Sequence, residues 1–390
     1  MRRNRGLRYV ALLSLLLTGS AALGAASASA VVLRPGSPRA TTPAAPTITS
    51  TGKHVYVSGV AKNYVGTPGQ FTFSDPGSTV TGYYYGLSGG SPSVFVPADA
   101  AGNATVAITP YNPADLTLSV EAANGANRSA VSSFDIMTVL PAGNIATLAW
   151  WKLTAAHKPA APDSTGHGHT AALSKDAAMT CTATAAPDGH KCSLSVTGGG
   201  GQALTAPATM PVAGNDGSFS VSAWTDLAKC QGSCVALAGD ATHTYEFALK
   251  YQHSCQASGR TGPCWKFAMP VSDSSGATVL AAASAPGTAR LNRWVQLSGV
   301  FNATHGTLTL YVNGRQAGQV SNFSPWAAPA PGQVRIGNLA PGGTAHDWSG
   351  RISNACLFYG VLQSADATLL FKGDSAHPHD GCAAMFAKYP

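Results

Sequence analysis

The sequence predicts an all-β protein made of two-layer β-sandwiches. Glycine and proline are abundant, with 43 and 25 of the 390 residues, whereas glutamate occurs only as Glu121 and Glu246. Long helices favour Glu, Leu, Lys and Gln on their faces, so this composition indicates strands and turns instead. Short alternating runs end in turn residues, most clearly at residues 308–314, Leu-Thr-Leu-Tyr-Val-Asn-Gly. The Asn-Gly pair favours a tight hairpin, and strands at this spacing build a sandwich or jelly roll.

Residues 1–30 predict a secretory signal peptide. Four arginines precede a mostly apolar run over residues 9–26, and residues 28–30 provide the small side chains of a cleavage site. An uncleaved membrane anchor is the alternative. Residues 31–46 are rich in Pro, Ala, Ser and Thr, which indicates an extended linker. We therefore expect a secreted, extracellular or cell-surface protein with no membrane span after cleavage.

The charge of the chain argues against a nucleic-acid partner. The formal net charge of +7 includes the four leader arginines, so the rest of the chain carries +3. Charged residues make up 11% of the sequence, well below the usual quarter or so. No Lys/Arg cluster alternates with aromatic residues, as nucleic-acid-binding surfaces require.

All eight cysteines follow residue 180, and an even number on an exported chain indicates disulfides. We predict that sequence neighbours pair: Cys181 with Cys192, Cys230 with Cys234, Cys255 with Cys264, and Cys356 with Cys382. The first three bonds would each close a hairpin loop. The last would anchor the C-terminal tail, residues 373–390, to a strand. Structural zinc is the alternative, but the cysteines lack the paired short spacers of such sites.

Residues 47–140 predict a first, small sandwich. The candidate strands are residues 54–60, 70–74, 80–87, 93–96, 104–109, 116–122 and 131–139. Seven strands in about 95 residues suit an immunoglobulin-like sandwich. Residues 82–87, 116–122 and 124–129 resemble fibronectin type III and related immunoglobulin-like modules of bacterial exported proteins. The resemblance implies a spacer or adhesion module, without the disulfide and tryptophan of antibody domains.

Residues 146–372 predict a second sandwich, which contains all seven tryptophans. An ordered set of runs resembles the laminin G-like, concanavalin A-like jelly rolls of secreted bacterial proteins: residues 150–153, 163–173, 217–224, 294–301, 308–314 and 348–359. The resemblance implies a jelly roll that binds an extracellular carbohydrate or protein through its loops. A short helix capped by Ser364 is expected to follow the last strand and to end at Phe371.

Two kinds of enzyme share this fold. Laminarinase-type enzymes place Glu, Asp and Glu on one face of one strand, and retention needs two carboxylates about 5 Å apart. Here Glu121 lies in the first sandwich and Glu246 stands alone in the second. A polysaccharide lyase needs a Tyr or His base and a cationic or amide group that neutralises a uronate, for which Tyr251, Gln252 and His253 are the nearest match. The alternative is that these residues end a strand at a loop. We therefore predict a non-enzymatic binding protein. A carbohydrate-active enzyme and a cell-surface structural or adhesion protein remain the alternatives.

The candidate ligand-binding residues are Trp326 and Trp348, which lie at loop edges, and His346 beside Trp348. A flat aromatic ring at the surface packs well against the C–H face of a sugar. Trp224 and Trp294 lie within strands, so we expect them to fill the core.

Asp163 is the candidate metal ligand, and calcium is the one cofactor that the sequence indicates. Residues 163–169 resemble the family loop that supplies a carboxylate and backbone carbonyls to Ca²⁺. The closing strand has Ser353 and Asn354 where the family usually has two aspartates, which removes negative charge from such a site. A turn-capping role for Asp163 is the alternative.

Overall fold

The computed structural model of the chain describes residues 42–75, 79–87, 91–110, 116–139, 145–154, 159–181, 186–198, 201–205, 217–240, 245–271, 278–321, 333–339 and 347–390. The chain is all-β, as predicted, and short helices follow its last strand. The predicted signal peptide, residues 1–30, lies outside the described residues.

The first part of the chain forms a small sandwich. Its described strands are β1 Thr47–Thr51, β2 Asn63–Tyr64, β3 Gly69–Ser74, β4 Gly82–Leu87, β5 Val94–Pro97, β6 Asn103–Ile108, β7 Leu116–Asn124, β8 Asn127–Arg128, β9 Ser132–Ile136 and β10 Thr138–Val139. One sheet has the order β1-β3-β6, and another has the order β5-β4-β7-β8 with β9 also paired to β7. β2 and β10 form a parallel pair.

The core of this sandwich follows from strand alternation. Phe71 and Phe73 of β3 are fully buried, as are Leu118 and Val120 of β7 in the other sheet. The Phe73 ring lies 5.8 Å from that of Tyr83 in β4. The two sheets therefore enclose one apolar layer. Whether the connections are those of an immunoglobulin-like domain stays a prediction.

One strand prediction in this part was wrong. Residues 54–60 do not form a strand, because only an isolated bridge joins Val57 to Val60. Both valines are about half exposed, so their apolar character does not mark a core face. The first strand is instead β1 at Thr47–Thr51, which was not predicted and pairs antiparallel with β3.

The second part forms a larger sandwich. Its described strands are β11 Ala146–Trp151, β12 Ala160–Ala161, β13 Ala171–Leu173, β14 Ala177–Cys181, β15 Cys192–Thr197, β16 Ala203–Thr205, β17 Phe219–Leu227, β18 Ser233–Asp240, β19 Tyr245–Ala257, β20 Arg260–Pro270, β21 Val279–Ala283, β22 Trp294–Asn302, β23 Thr307–Val312, β24 Arg315–Val320, β25 Val334–Ile336 and β26 Ser349–Tyr359. The helices are α1 Ser364–Lys372 and α2 Gly381–Lys388.

These strands form two sheets. The first has the order β14-β15-β26-β17-β22-β23-β24, with β11 also paired to β26. We call it the helix-covered sheet, because α1 and α2 pack on its outer face. The second has the order β12-β13-β16-β25-β18-β19-β20-β21, and we call it the opposite sheet.

The main core lies between the two sheets. In β17, Phe219, Val221 and Ala223 point inward and join one apolar cluster, whereas the serines between them do not. Phe219 contacts Phe247 and Phe267 of the opposite sheet, with ring centroids 5.3 and 6.3 Å apart. This period of two explains why one strand presents both an apolar and a polar face.

The Asn-Gly hairpin forms as the sequence predicts. Asn313 and Gly314 link β23 to β24 with φ angles of 50° and 72°. Two consecutive positive φ values are the signature of a type I′ turn, which Asn-Gly adopts readily. The Asn313 side chain also accepts a hydrogen bond from the Gln296 amide at 2.9 Å, which ties the turn to β22.

The helices close the outer face of the helix-covered sheet. Leu370 of α1 and Met385 of α2 are buried against Phe358 of β26 and its neighbours. Helix α1 begins one residue earlier than expected, because Gln363 occupies the N-cap position instead of Ser364. The backbone amide of Gln363 donates to the Asp366 carboxylate. Helix α2, in the tail, was not predicted. Among the described residues, neither helix is long or apolar enough to cross a membrane.

The predicted disulfide pairing is confirmed at every position: Cys181–Cys192, Cys230–Cys234, Cys255–Cys264 and Cys356–Cys382. Cys181 and Cys192 are direct partners on β14 and β15. Cys356 in β26 holds Cys382 in α2, so the last bond anchors the tail to the sheet as expected.

Candidate functional site

A polar groove of about 470 Å³ opens on the helix-covered sheet. We call this surface the polar groove, and its lining residues are Ser195, Val196, Thr197, Asp226, Ala228, Lys229, Asn292, Ser349, Gly350 and Arg351. They come from the end of β15, the end of β17, the start of β26 and the segment before β22.

Strand register places Arg351 at the centre of the polar groove. Arg351 in β26 pairs with Asp226 in β17 on one side and with Ser195 in β15 on the other. Gly350 precedes it with φ 154°, and a side chain there would overlap the Asp226 carbonyl oxygen. Glycine therefore allows β26 to approach β17 closely enough to form the groove.

An ion pair sets the charge of the groove. The Arg351 Nη2 and Nε atoms donate to Asp226 Oδ2 at 2.6 and 3.2 Å. The second oxygen, Asp226 Oδ1, is buried and accepts no hydrogen bond from the described residues. The Arg351 guanidinium also lies 5.0 Å from the centre of the Trp294 ring. Arg351 is thus held from two directions, by a carboxylate and by an aromatic face.

Backbone hydrogen bonds fix the rim of the groove. The amides of Ala228 and Lys229 donate to the Ser349 carbonyl at 2.8 and 3.4 Å, and the Asn292 amide donates to the Leu227 carbonyl at 2.8 Å. The Cys230–Cys234 disulfide follows directly and braces this segment. The side chains of Lys229 and Asn292 are exposed, and the hydrogen bonds above hold the backbone that carries them.

The lining can form many hydrogen bonds but contains one carboxylate. Hydroxyl groups, a carboxamide, an ammonium and a guanidinium surround Asp226. Hydrolysis of a glycosidic bond in most families requires two carboxyl groups, about 5 Å or 6.5–9.5 Å apart. Glu246, the acid that the sequence singled out in this part, lies buried on β19 in the opposite sheet.

Of the predicted ligand-binding residues, Trp348 is the one that the structure describes, and it does not line this groove. Trp326 and His346 fall outside the described residues. The expected exposure of Trp348 was wrong, because this residue is fully buried in the main core. Its ring stacks on Trp265 with centroids 6.4 Å apart and 30° between the planes. Trp348 lies just before β26, an interior strand of its sheet, and its backbone amide donates to the Gly337 carbonyl at 3.0 Å, which holds it between the sheets instead of on a loop tip.

The core prediction for Trp294 was also wrong. Trp294 is partly exposed at the start of β22, on the outer face beside Arg351. Trp224 is buried as expected, but on the same outer face, 5.6 Å from the Phe371 ring of α1. In β17, Ser222, Trp224 and Asp226 alternate with apolar residues, and this alternation was the signal for a second, polar face.

Asp163 is surrounded by hydrogen-bond donors. Oδ1 accepts from the amides of Trp150 and Thr165 at 3.1 and 3.0 Å, and Oδ2 accepts from the His169 amide at 3.1 Å. The Thr165 hydroxyl lies 2.8 Å from both oxygens. This geometry is that of a turn-capping carboxylate. Within the described ranges no three His, Cys, Asp or Glu side chains cluster as metal ligands. A calcium site at Asp163 stays a prediction.

A second polar cluster attaches the tail, and sequence analysis missed it. The Ser353 hydroxyl donates to Asp188 at 2.6 Å. The Asn354 carboxamide oxygen accepts from the Trp150 indole at 2.7 Å, while its nitrogen donates to Asp380 at 2.8 Å. The residues of this cluster are far apart in the sequence, so the sequence alone does not show that they are in contact.

Comparison with known proteins agrees with this architecture. Residues 197–368 match the family model of the concanavalin A-like lectin/glucanases superfamily. This part of the chain is a concanavalin A-like domain, and it includes Asp226, Lys229, Asn292 and Arg351 of the polar groove. A search of curated proteins found no match.

Several solved structures are similar to this chain at low identity. Domain 4 of AbnA, a GH43 extracellular arabinanase from Geobacillus stearothermophilus, in complex with arabinotriose, has 13% identity and a TM-score of 0.41, over 58% of this chain and 98% of that one. The botulinum neurotoxin serotype D ligand-binding domain with N-acetylneuraminic acid has 11% identity and a TM-score of 0.44, over 59% and 51%. A heptameric SAP-like pentraxin from Limulus polyphemus has 16% identity and a TM-score of 0.34, over 43% and 76%.

Proposed function

We propose that this chain is a secreted, non-enzymatic binding protein whose polar groove recognises an extracellular carbohydrate. The observation that carries the proposal is the position of Arg351, which is fixed by Asp226 and Trp294 at the centre of a groove whose lining includes hydroxyl, carboxamide and charged side chains. The family model matched by this domain is described as one of lectins and glucanases, which supports the same class of ligand.

The chemistry of the lining suits a polyhydroxylated ligand. A sugar hydroxyl both donates and accepts hydrogen bonds, so it needs partners of both kinds at short range. The groove supplies donors at Arg351 and Lys229, and groups that both donate and accept at Asn292, Thr197 and Ser349. Charged partners strengthen such bonds, and a constrained backbone lowers the entropy lost on binding.

The same lining favours binding over cleavage. Asp226 is the one carboxylate among the lining residues, and its Oδ2 atom is engaged by Arg351. A general acid must deliver a proton to the leaving group, whereas Asp226 Oδ2 accepts hydrogen bonds from Arg351 at 2.6 and 3.2 Å and Oδ1 is buried. Recognition requires no proton transfer and is compatible with this ion pair.

Secretion is supported by the cysteines. Disulfides form and persist in oxidising compartments such as the extracellular space. The described cysteines all pair, and these bonds brace the β14–β15 hairpin, the β17–β18 connection beside the polar groove, and the tail.

A glycan array tests the proposal, with the wild type compared with Lys229→Gln and Thr197→Val. Both residues lie on the exposed rim, so these substitutions are expected to preserve folding. We expect the wild type to bind a subset of glycans and each variant to lose at least threefold in affinity, the effect of about one hydrogen bond. Lys53→Gln, at an exposed lysine of the first sandwich, is the matched control. Unchanged binding by the rim variants would contradict the groove assignment. Turnover of a polysaccharide, lost in Asp226→Asn, would contradict the non-enzymatic assignment.

A further inference from the structure

Two lysines face each other on the opposite sheet. Lys250 in β19 and Lys266 in β20 are direct cross-strand partners in the antiparallel ladder. Side chains at paired positions leave the sheet on the same face, with Cβ atoms about 4.5–5.5 Å apart. Like charges at such a pair are unfavourable, so the arrangement needs a compensating group.

The surroundings of the pair are apolar. Val235 on β18 is the other cross-strand neighbour of Lys250, and it is buried together with Tyr245 and Ala248 of β19. The Lys250 Nζ atom lies 5.7 Å from the Tyr245 ring centre, which places the ammonium along this outer-face cluster. Beyond Lys266, the next residue in the row is Ala283 of β21.

No acid offsets the two charges within the described part of the chain. Strands β18 to β21 contain two acidic residues: Asp240, which pairs with Tyr245 at the far end of β18, and Glu246, which lies four positions from Lys250. That separation is about 13 Å along a strand. Burial, followed by the charge of Lys266, lowers the pKa of Lys250 to about 8, and burial also lowers the pKa of Lys266. A buried lysine without a negatively charged partner is expected to have a lowered pKa, and both lysines show a shift in this direction.

We propose that Lys250 and Lys266 together bind one sulfate or carboxylate group, carried by an acidic polysaccharide or present as a free anion. A single anion between two ammonium groups replaces their repulsion with two charge-assisted contacts. The partly apolar surroundings strengthen these contacts, because they reduce the screening by water. This site lies on the sheet opposite the polar groove and does not depend on the function proposed for that groove.

The first test is calorimetric titration of the protein with inorganic sulfate at low ionic strength. We expect one sulfate per chain, and at least tenfold weaker binding by Lys250→Gln and by Lys266→Gln. Lys175→Gln, at an exposed lysine without such a neighbour, is the matched control, and Lys229→Gln changes the polar groove alone. Both controls are expected to bind sulfate as the wild type does, so loss of groove function and loss of this site are distinguishable.

The second test follows the lysine itself. Because binding requires the charged form of Lys250, sulfate affinity is expected to fall about tenfold between pH 7 and pH 9. Nuclear magnetic resonance of labelled lysines is expected to show the Lys250 pKa rising by at least one unit at saturating sulfate. Because it removes repulsion, Lys266→Gln is expected to raise the same pKa without added anion and to melt at or above the temperature of the wild type.

The ligand source is separated by comparing inorganic sulfate with a sulfated and a uronate disaccharide. Tighter binding of a disaccharide assigns the site to an acidic polysaccharide, and equal affinity assigns it to a free anion. The proposal is overturned if chloride at equal ionic strength produces the same lysine shifts, or if Lys250→Gln and Lys266→Gln bind sulfate as the wild type does.

Discussion

His190 Nε2 lies 3.1 Å from Asp380 Oδ2, although 190 positions separate the two residues in the sequence. Asp380 is the N-cap of α2 and also accepts the Ala383 amide at 3.0 Å. His190 lies just before β15, next to the Cys181–Cys192 disulfide. This pair therefore joins the start of the last helix to the β14–β15 hairpin.

The His190–Asp380 pair predicts a pH-dependent stability. The hydrogen bond to Asp380 raises the pKa of His190 above 6.5, and burial opposes this effect. Burial acts to raise the pKa of Asp380, but the hydrogen bonds from His190, Ala383 and Asn354 outweigh it and hold the pKa below 3.8. A histidine whose pKa is raised on folding contributes its full stabilisation below its unfolded-state pKa. This contribution is lost as pH rises through the folded-state pKa. An aspartate whose pKa is lowered on folding contributes its full stabilisation above its unfolded-state pKa. This contribution is lost as pH falls through the folded-state pKa.

We therefore expect His190→Gln to lower the free energy of unfolding most at pH values between 3.8 and 6.5, the usual pKa values of aspartate and histidine. The difference from the wild type should shrink as pH rises through the raised pKa of His190. Denaturant unfolding at a series of pH values measures this difference. His253→Gln, at an exposed histidine, is the control. A difference that does not change with pH contradicts the role of the charged pair.

The disulfide that holds α2 should contribute more than the short one beside the groove. The chain-entropy relation gives about 3.5 kcal/mol for the 26-residue separation of Cys356 and Cys382, and about 2 kcal/mol for the 4-residue separation of Cys230 and Cys234. Paired Cys→Ser variants of each bond, compared by thermal and denaturant unfolding, measure the two contributions. Equal losses, or the reverse order, are inconsistent with this expectation.

Gly350→Ala should disturb the polar groove. The new methyl group would overlap the Asp226 carbonyl oxygen, so β26 must move away from β17. Overpacking of this kind costs about 1–3 kcal/mol. Gly232→Ala is the control, because nothing lies within 4 Å of the corresponding position. Melting temperatures and glycan binding of both variants test the expectation, and a Gly350→Ala protein equal to the wild type in both properties is the contrary result.

Asp163→Ala should destabilise the protein whether or not calcium is present. The carboxylate accepts the amides of Trp150, Thr165 and His169, and loss of buried or partly buried acceptors costs about 1–3 kcal/mol. The measurement is a melting temperature for wild type and variant, each with calcium and with chelator. We expect the same loss in both conditions. A wild-type melting temperature that rises with calcium, and an Asp163→Ala protein that does not respond, would instead establish a metal site.

Local features of the sequence predicted local features of the fold. Asn313-Gly314 determines a hairpin because both residues tolerate positive φ angles. The disulfide pairs were predictable because most cysteines bond a near neighbour, across one hairpin or within a few residues. The alternation of Phe71 and Phe73 in β3 is likewise local, and both rings lie on the buried face.

The polar groove required information that is not local. Thr197, Asp226, Asn292 and Arg351 meet because β26 pairs with β15 and β17 at the same positions, and this register depends on the whole sandwich. Trp348 shows the same limit, since its neighbours in sequence indicated a loop, whereas its stacking on Trp265 of the opposite sheet places it in the core. Helix α2 is short, and its packing and disulfide to β26 stabilise it more than its sequence does.

The most direct test of the binding site is the affinity of Arg351→Lys for the oligosaccharide that gives the strongest array signal. Lysine keeps the positive charge near Asp226 but loses the planar, multiple donors of arginine. We predict a folded protein whose affinity is at least tenfold weaker than that of the wild type. An affinity equal to the wild type, or a wild type that binds no glycan, would contradict recognition of carbohydrate in this groove.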